Sequence, residues 1–505
     1  SDAALYTFVP APTLASVDPD AGPEAGGNTV TLTGTGFTGA RVVDFAGTAA
    51  ISVTVVSDTE ISAVAPAGTG TAAVTVTTPG GTSNGVSYVY VPAPTLVSIV
   101  PNSGPDTGGT TVVLTGTNLT SATAVRFGAV SAAFTVVSDS EISVTAPPGS
   151  GTVGVTVTTA GGTSNPVLYA NVPPPTLASV VPNAGRTTGG NTVTLTGTGF
   201  THATAVTFGA NAAASFVVVS DTQISAVVPA GGAGTATVTV TATGGASNGV
   251  LYTYVLAPTV TAVVPNSGPT TGGNTVTIDG TGFTGATAVL FGATPATSYT
   301  VVSGTRITAV APTRSAGPVT VTVTTAGGTS NGVVYTYIAA PTLAAVVPNT
   351  GPATGGNTVT LTGANLTGTT GVRFDATAAV SFTVISASQI GAVVPAGTAG
   401  TVAVTVTTAG GTSNGVVYTY AAAPTLASVV PSSGPAAGGN TVTLTGTGFT
   451  GATAVRFGAT AATSFTVASD TRIRATVPAG TGVRAVTVTT PGGTSNGVSY
   501  TYTHT

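Results

Sequence analysis

Residues 430–446 read Val-Pro-Ser-Ser-Gly-Pro-Ala-Ala-Gly-Gly-Asn-Thr-Val-Thr-Leu-Thr-Gly. The apolar run Thr425–Val430 stops at Pro431, which has no amide proton to continue a ladder. Ser432–Pro435 and Gly438–Asn440 are turn clusters, rich in residues that tolerate special backbone angles. They deliver the chain into Thr441-Val442-Thr443-Leu444-Thr445, a strict alternation of threonine and apolar residues. Period two with one apolar face is the pattern of a half-buried β-strand.

Outward from this stretch the same logic repeats. Ala454–Phe457 points Val455 and Phe457 inward and Arg456 outward, and Ser464–Val467 and Arg472–Val477 carry Phe465, Val467, Ile473 and Val477. Val486–Thr489 alternates again before the turn Pro491-Gly492-Gly493, and Val498–Tyr502 closes the unit. Seven short strands with Gly/Pro/Asn punctuation and no helical period predict an all-β sandwich.

The 505-residue chain is built from such units. A Pro-Thr-Leu/Val phrase recurs at Pro12, Pro94, Pro175, Pro258, Pro341 and Pro424, a period of 81 to 83 residues. Repetition at fixed period overrides the domain count that length suggests. It predicts a tandem array of six modules over residues 11–92, 93–173, 174–256, 257–339, 340–422 and 423–505, with 1–10 as the closing strand of an upstream or neighbouring module. The junctions are short and proline-rich: Val91-Pro92-Ala93 precedes Pro94, and another reads Val172-Pro173-Pro174-Pro175. Proline favours extended chain, so the joints are read as stiff and the array as an extended rod of roughly 200–250 Å.

The fourth copy carries a family resemblance. Val-Pro-x-x-Gly-Pro-x-x-Gly-Gly-Asn stands at Val264–Asn274, Gly-Thr-Gly-Phe at Gly280–Phe283, Val-x-Phe-Gly at Val289–Gly292, and Tyr335-Thr336-Tyr337 closes the module. The pattern resembles the IPT/TIG domain, an immunoglobulin-like module shared by plexins, certain transcription factors and many bacterial surface proteins. The resemblance covers essentially the whole chain. It implies an immunoglobulin-like β-sandwich, and a role in adhesion, dimerisation, carbohydrate binding or spacing, because fold alone does not choose among these.

Composition excludes several classes. There is no cysteine, hence no disulfide or thiolate metal site. Only 5% of residues are charged, against roughly 25–35% on an ordinary soluble surface. All ten basic residues are arginine and the net charge is −4, which leaves no basic stripe for nucleic acid. Without lysine, no intramolecular Lys–Asn isopeptide bond can form. No apolar run is long enough to span a membrane, and the first residues show no basic and apolar leader pattern, which a secreted protein loses on export. His202 and His504 fall in different modules without cysteine or a consistent carboxylate partner. No catalytic set emerges, and the chain is read as a non-enzyme.

Clustered carboxylates are the residues that could hold calcium. Asp18, Asp20 and Glu24 cluster in the first module, but the sixth copy has Val430, Ser432 and Ala436 there. A second set, Asp58/Glu60 and Asp139/Glu141, drifts to Asp221/Gln223, Gly304/Arg306, Ala387/Gln389 and Asp470/Arg472. An ion required by every module would not survive that drift. No cofactor is expected, and the one candidate Ca²⁺ position is Asp18 with Asp20.

Near the start, Leu5, Tyr6, Thr7, Phe8 and Val9 match a closing strand. They are read as the end of a preceding module in a longer array, or else as a strand donated to another copy in self-association. Outward threonines are explained by β-propensity, with O-glycosylation or a flat binding face as alternatives. Tyrosine pairs such as Tyr252/Tyr254 are expected at the joints between modules, or stacked on sugars.

The resulting expectation is an extracellular structural protein of a bacterial cell surface: a fibre, filament, sheath or adhesin stalk. Its partners would be other copies of itself, with glycans or a host surface as further candidates, and no nucleic acid or membrane insertion. The alternative is a carbohydrate- or receptor-binding array, as in a surface adhesin or phage virion protein.

Overall fold

The computed structural model describes residues 7–503, which are strands, turns and loops throughout, and none of these residues is helical. The chain divides into two compact units between Val255 and Leu256, each holding three modules.

Module 1 sets the pattern. Its strands are β1 (Thr13–Asp18), β2 (Ala21–Pro23), β3 (Thr29–Thr35), β4 (Val42–Phe45), β5 (Thr48–Ala49), β6 (Ser52–Ser57), β7 (Glu60–Val64), β8 (Gly70–Thr78), β9 (Gly81–Thr82) and β10 (Val86–Val91). One sheet runs β1-β3-β7-β6; the other runs β2-β10-β8-β4-β5, with β9 paired to β8. All pairings are antiparallel except β2 with β10. The other five modules repeat this order. Ten strands therefore replace the seven expected; the additions are the short β2, β5 and β9, which lack the length to show a period.

The alternation read from sequence is what forms the core. Val30 and Leu32 of β3 lie beside Ala63 and Ile61 of β7, and Val74, Val76 and Tyr88 come from the opposite sheet; all are buried. Burying each such apolar side chain contributes about 1.5–3 kcal/mol. Phe45 and Tyr88 meet edge to face at 5.2 Å, and Tyr88 meets Tyr90 at 5.1 Å, the arrangement aromatic quadrupoles favour. Each module holds its own core cluster.

Here one expectation is corrected. Tyr252 and Tyr254 are not joint residues and are not displayed for stacking: both lie inside the core of module 3. Strand alternation puts both residues of a Tyr-x-Tyr on one face, and in modules 1 and 3 to 6 that face is the sandwich interior.

Two local features explain the punctuation. The proline that ends β1 follows a cis peptide bond in every module, as at Asp18–Pro19 and Val430–Pro431. Gly280 of the Gly-Thr-Gly-Phe motif lies where a Cβ would collide with the Thr259 carbonyl and the Phe283 ring. Modules 2 and 5 replace the following Gly-Phe pair by Asn118-Leu119 and Asn365-Leu366, and both asparagines sit at φ near +57. Asparagine is among the few residues other than glycine that enter this region readily. Their side chains donate to the Ala93 and Ala340 carbonyls at the module entries.

Candidate functional site

Carboxylates are the first groups to place. Asp58 accepts hydrogen bonds from Thr38 Oγ1 at 2.7 Å, and from the Thr38 and Gly36 amides at 3.2 Å. Asp139, Asp221 and Asp470 hold the equivalent turns through Thr120, Thr201 and Thr450. The threonine hydroxyls, joined by turn amides, hold all four carboxyls below the usual aspartate range. These aspartates serve as turn clasps. Gly304 and Ala387 stand at the same place in modules 4 and 5, so the drift seen in sequence reflects a replaceable loop brace.

Asp18 ends β1 opposite Thr31, and Asp20 lies in the bend before β2, where its carbonyl accepts from the Val89 amide. Among the described residues no three His, Cys, Asp or Glu side chains gather closely enough to hold a metal ion. His202 is an exposed turn residue, and His504 lies outside the described residues. Of the N-terminal segment, Leu5 and Tyr6 also lie outside the described residues; Thr7, Phe8 and Val9 belong to no strand.

The strand edges differ sharply in how they are guarded. On β1, the Asn84 side chain accepts from the Leu14 amide at 3.0 Å and donates to the Leu14 carbonyl at 2.8 Å. It takes the place of a neighbouring strand, and Asn165, Asn248, Asn331, Asn414 and Asn496 do the same in their modules. Edge β2 is three residues long, and β5 in module 1 is two. Short edges and prolines discourage strand addition. Edge β6 has neither guard.

Outer threonines pair with each other. Thr13 and Thr35 hydroxyls are 2.6 Å apart across β1 and β3, and Thr95–Thr117, Thr176–Thr198, Thr259–Thr281 and Thr425–Thr447 repeat the contact. Such cross-strand pairs contribute about 0.2–1 kcal/mol each.

A shallow notch lies beside the second tyrosine of β10. In module 1 it is lined by Phe45, Thr48, Gly68 and Tyr90, and in module 6 by Phe457, Thr460, Gly480 and Tyr502. The tyrosine hydroxyls donate to the Pro66 and Pro478 carbonyls. In module 4, Arg314 donates from its guanidinium to the Phe291 carbonyl and Thr294 Oγ1, and so lies across the notch. Burial pushes the Tyr337 hydroxyl there up to about 12.

Module 2 departs most. Asn171 replaces the second tyrosine; it is buried in the notch, with Nδ2 donating to the Gly151 carbonyl at 3.2 Å and Oδ1 facing no protein donor. Thr110 replaces the asparagine that elsewhere pairs with the first tyrosine, as Asn28 does with Tyr88 at 2.9 Å, and the buried Tyr169 hydroxyl has no partner. Sequence reading missed both changes. The signal lay in aligning the copies: Asn171 breaks the Tyr-x-Tyr pattern and Thr110 breaks Gly-Gly-Asn.

The pattern of the IPT/TIG domain matches residues 12–90, 94–170, 175–254, 258–337, 341–420 and 424–502. No curated protein matches the chain. Among solved structures, the plexin A4 full extracellular region is similar at 14% identity over 95% of this chain and 55% of that one, with a TM-score of 0.26. The SGBP-B protein of a complex xyloglucan utilization locus in Bacteroides uniformis is similar at 22% identity over 38% of this chain and 57% of that one, TM-score 0.18. Invasin, a bacterial integrin-binding protein, is similar at 17% identity over 66% and 82%, TM-score 0.22. The chain spans about half the length of the plexin A4 chains it matches. With the family pattern on all six modules and the same two-sheet sandwich in each, the chain belongs to the IPT/TIG domain family as six tandem copies.

Proposed function

We propose that this chain is an extracellular structural repeat protein of a bacterial surface, whose modules extend a fibre, sheath or stalk and associate laterally with other copies. The observation that carries this reading is the combination of six self-contained cores with a surface almost free of charge. Ordinary domains keep apart through charge; 5% charged residues and no lysine remove much of that barrier. The carboxylates with lowered pKa brace turns, a structural use of charge that fits a chain of repeated building modules. Short junctions support limited freedom between neighbours: the Pro92 carbonyl packs on Gly161 of the next module so tightly that a Cβ there would collide, and Pro173 packs likewise on Gly244. Sedimentation velocity across a concentration series tests the reading. Mass that grows with concentration is expected, and a monomer at every concentration would overturn it.

One observation favours a second reading, a carbohydrate- or receptor-binding array. The module 2 notch is walled by Phe127, Pro148, Val153 and Asn171, whose Oδ1 is buried without a protein donor and would be satisfied by a ligand that brings a hydrogen-bond donor into the notch. Calorimetric titration with neutral oligosaccharides tests it, with Asn171→Tyr abolishing any heat that belongs to this notch.

A further inference from the structure

Resting on the self-association reading above, we infer that copies of this chain join edge to edge through β6 and its five counterparts, each pairing antiparallel with a β6-type strand of a second copy.

The strands concerned are Ser52–Ser57, Phe134–Ser138, Ser215–Ser220, Ser298–Ser303, Ser381–Ser386 and Ser464–Ser469. All six lie at the outer end of the four-stranded sheet, hydrogen-bonded on one side only, to β7 or its counterpart. An edge strand turns a row of backbone donors and acceptors outward, and natural proteins blunt such rows with charge, proline or cover. None of the six contains a charged residue or a proline. They read Ser-Val-Thr-Val-Val-Ser, Phe-Thr-Val-Val-Ser, Ser-Phe-Val-Val-Val-Ser, Ser-Tyr-Thr-Val-Val-Ser, Ser-Phe-Thr-Val-Ile-Ser and Ser-Phe-Thr-Val-Ala-Ser. That is high β-propensity in an uncharged segment, the composition that recruits further strands. The bulge between Val55 and Ser57 disturbs only the far end and leaves Ser52–Val55 in regular register.

Side chains point the same way. The inward residue of each strand is only half-buried, as at Phe216, Tyr299 and Phe382. Val219, Val302 and Ile385 at the bulge stand about 60% exposed. A strand added beside β6 would cover both. On the opposite edge of the same sheet Asn84 clasps Leu14 by both backbone groups, which hinders strand addition there.

The repeat period argues for a second copy as the occupant. One added strand of five or six residues falls well short of the roughly 1,200–2,000 Å² that stable interfaces bury. A partner presenting the same strand every 81–83 residues can engage several edges together, and linkage multiplies their affinities. Another copy of this chain has that period, and its identical edge satisfies the self-complementarity of a two-fold contact.

The test uses the full chain with a lysine at the exposed centre of all six strands: Thr54→Lys, Thr135→Lys, Val217→Lys, Thr300→Lys, Thr383→Lys and Thr466→Lys. The control adds the same charge on the outer face of the central β10-type strands, at Val89, Leu168, Leu251, Val334, Val417 and Ser499, all exposed. Sedimentation velocity reads association and circular dichroism reads folding. The edge variant should fold and associate about tenfold or more weakly than the parent, while the control associates as the parent does. If the parent associates and the folded edge variant matches it, the edge assignment is wrong and the self-association reading stands. An equal loss in edge variant and control reduces the effect to net charge and overturns the assignment. A parent that stays monomeric overturns the self-association reading, and this inference with it. Should the lysine variant not fold, Thr300→Lys and Thr383→Lys alone give the same comparison against Val334→Lys and Val417→Lys.

Discussion

Asn84 holds Leu14 by both backbone groups, accepting from its amide and donating to its carbonyl, across 70 residues of sequence. The asparagine sits just before β10 and caps the free edge of β1 at Leu14, so the two sheets are tied at a point where no ladder joins them. Its counterpart recurs in every module.

Removing the clasp leaves two partly buried backbone groups without partners. Asn84→Ala should cost about 1–3 kcal/mol in module 1. Hydrogen exchange at the Leu14 amide checks it: exchange should rise about tenfold or more, and protection equal to the parent's would show the clasp to be dispensable.

Module 2 can be repaired. Thr110→Asn restores the partner that Tyr169 lacks and should stabilise that module by about 1 kcal/mol. Exchange of module 2 peptides in the full chain reports the gain against module 1. If the Tyr169 hydroxyl is already served by a bound water, protection will not change.

Acid should affect the modules unequally. Asp58, Asp139, Asp221 and Asp470 are held below their ordinary value of 3.8, so the folded state binds their protons less readily than the unfolded chain does. Their contribution is complete above that ordinary value and is lost as pH falls through the lowered folded values. Modules 1, 2, 3 and 6 should therefore loosen more than modules 4 and 5 over the pH range below the ordinary 3.8. Exchange or proteolysis across that range tests the order, and Asp470→Asn should remove the acid sensitivity of the turn in module 6.

Gly280 faces a carbonyl and an aromatic ring. Gly280→Ala should destabilise module 4 by about 1–3 kcal/mol or more through overpacking. Limited proteolysis should then cut within module 4 first. Uniform resistance across the array would show that the ring swings aside freely.

Much of this architecture is legible in residue order, because its causes are local. Thr-Val-Thr-Leu-Thr at 441–445 defines a strand and its buried face by period alone, and proline and glycine mark where strands stop. Repetition of that string at 81–83 residues gave six modules without any knowledge of pairing. Contacts across long separations are what residue order could not supply. Tyr252 looked like a joint residue until the second sheet closed over it. The role of Asp58 as a turn clasp emerges only when Thr38 and Gly36, some twenty residues away, are folded against it. The guard on β1 and the openness of β6 follow from which strands lie at the ends of a sheet, and strand order depends on pairings between residues far apart in the chain. Alternation of side chains determined the sandwich; only tertiary structure decided which of its edges remained unpaired, because an edge is defined by the neighbour a strand does not have.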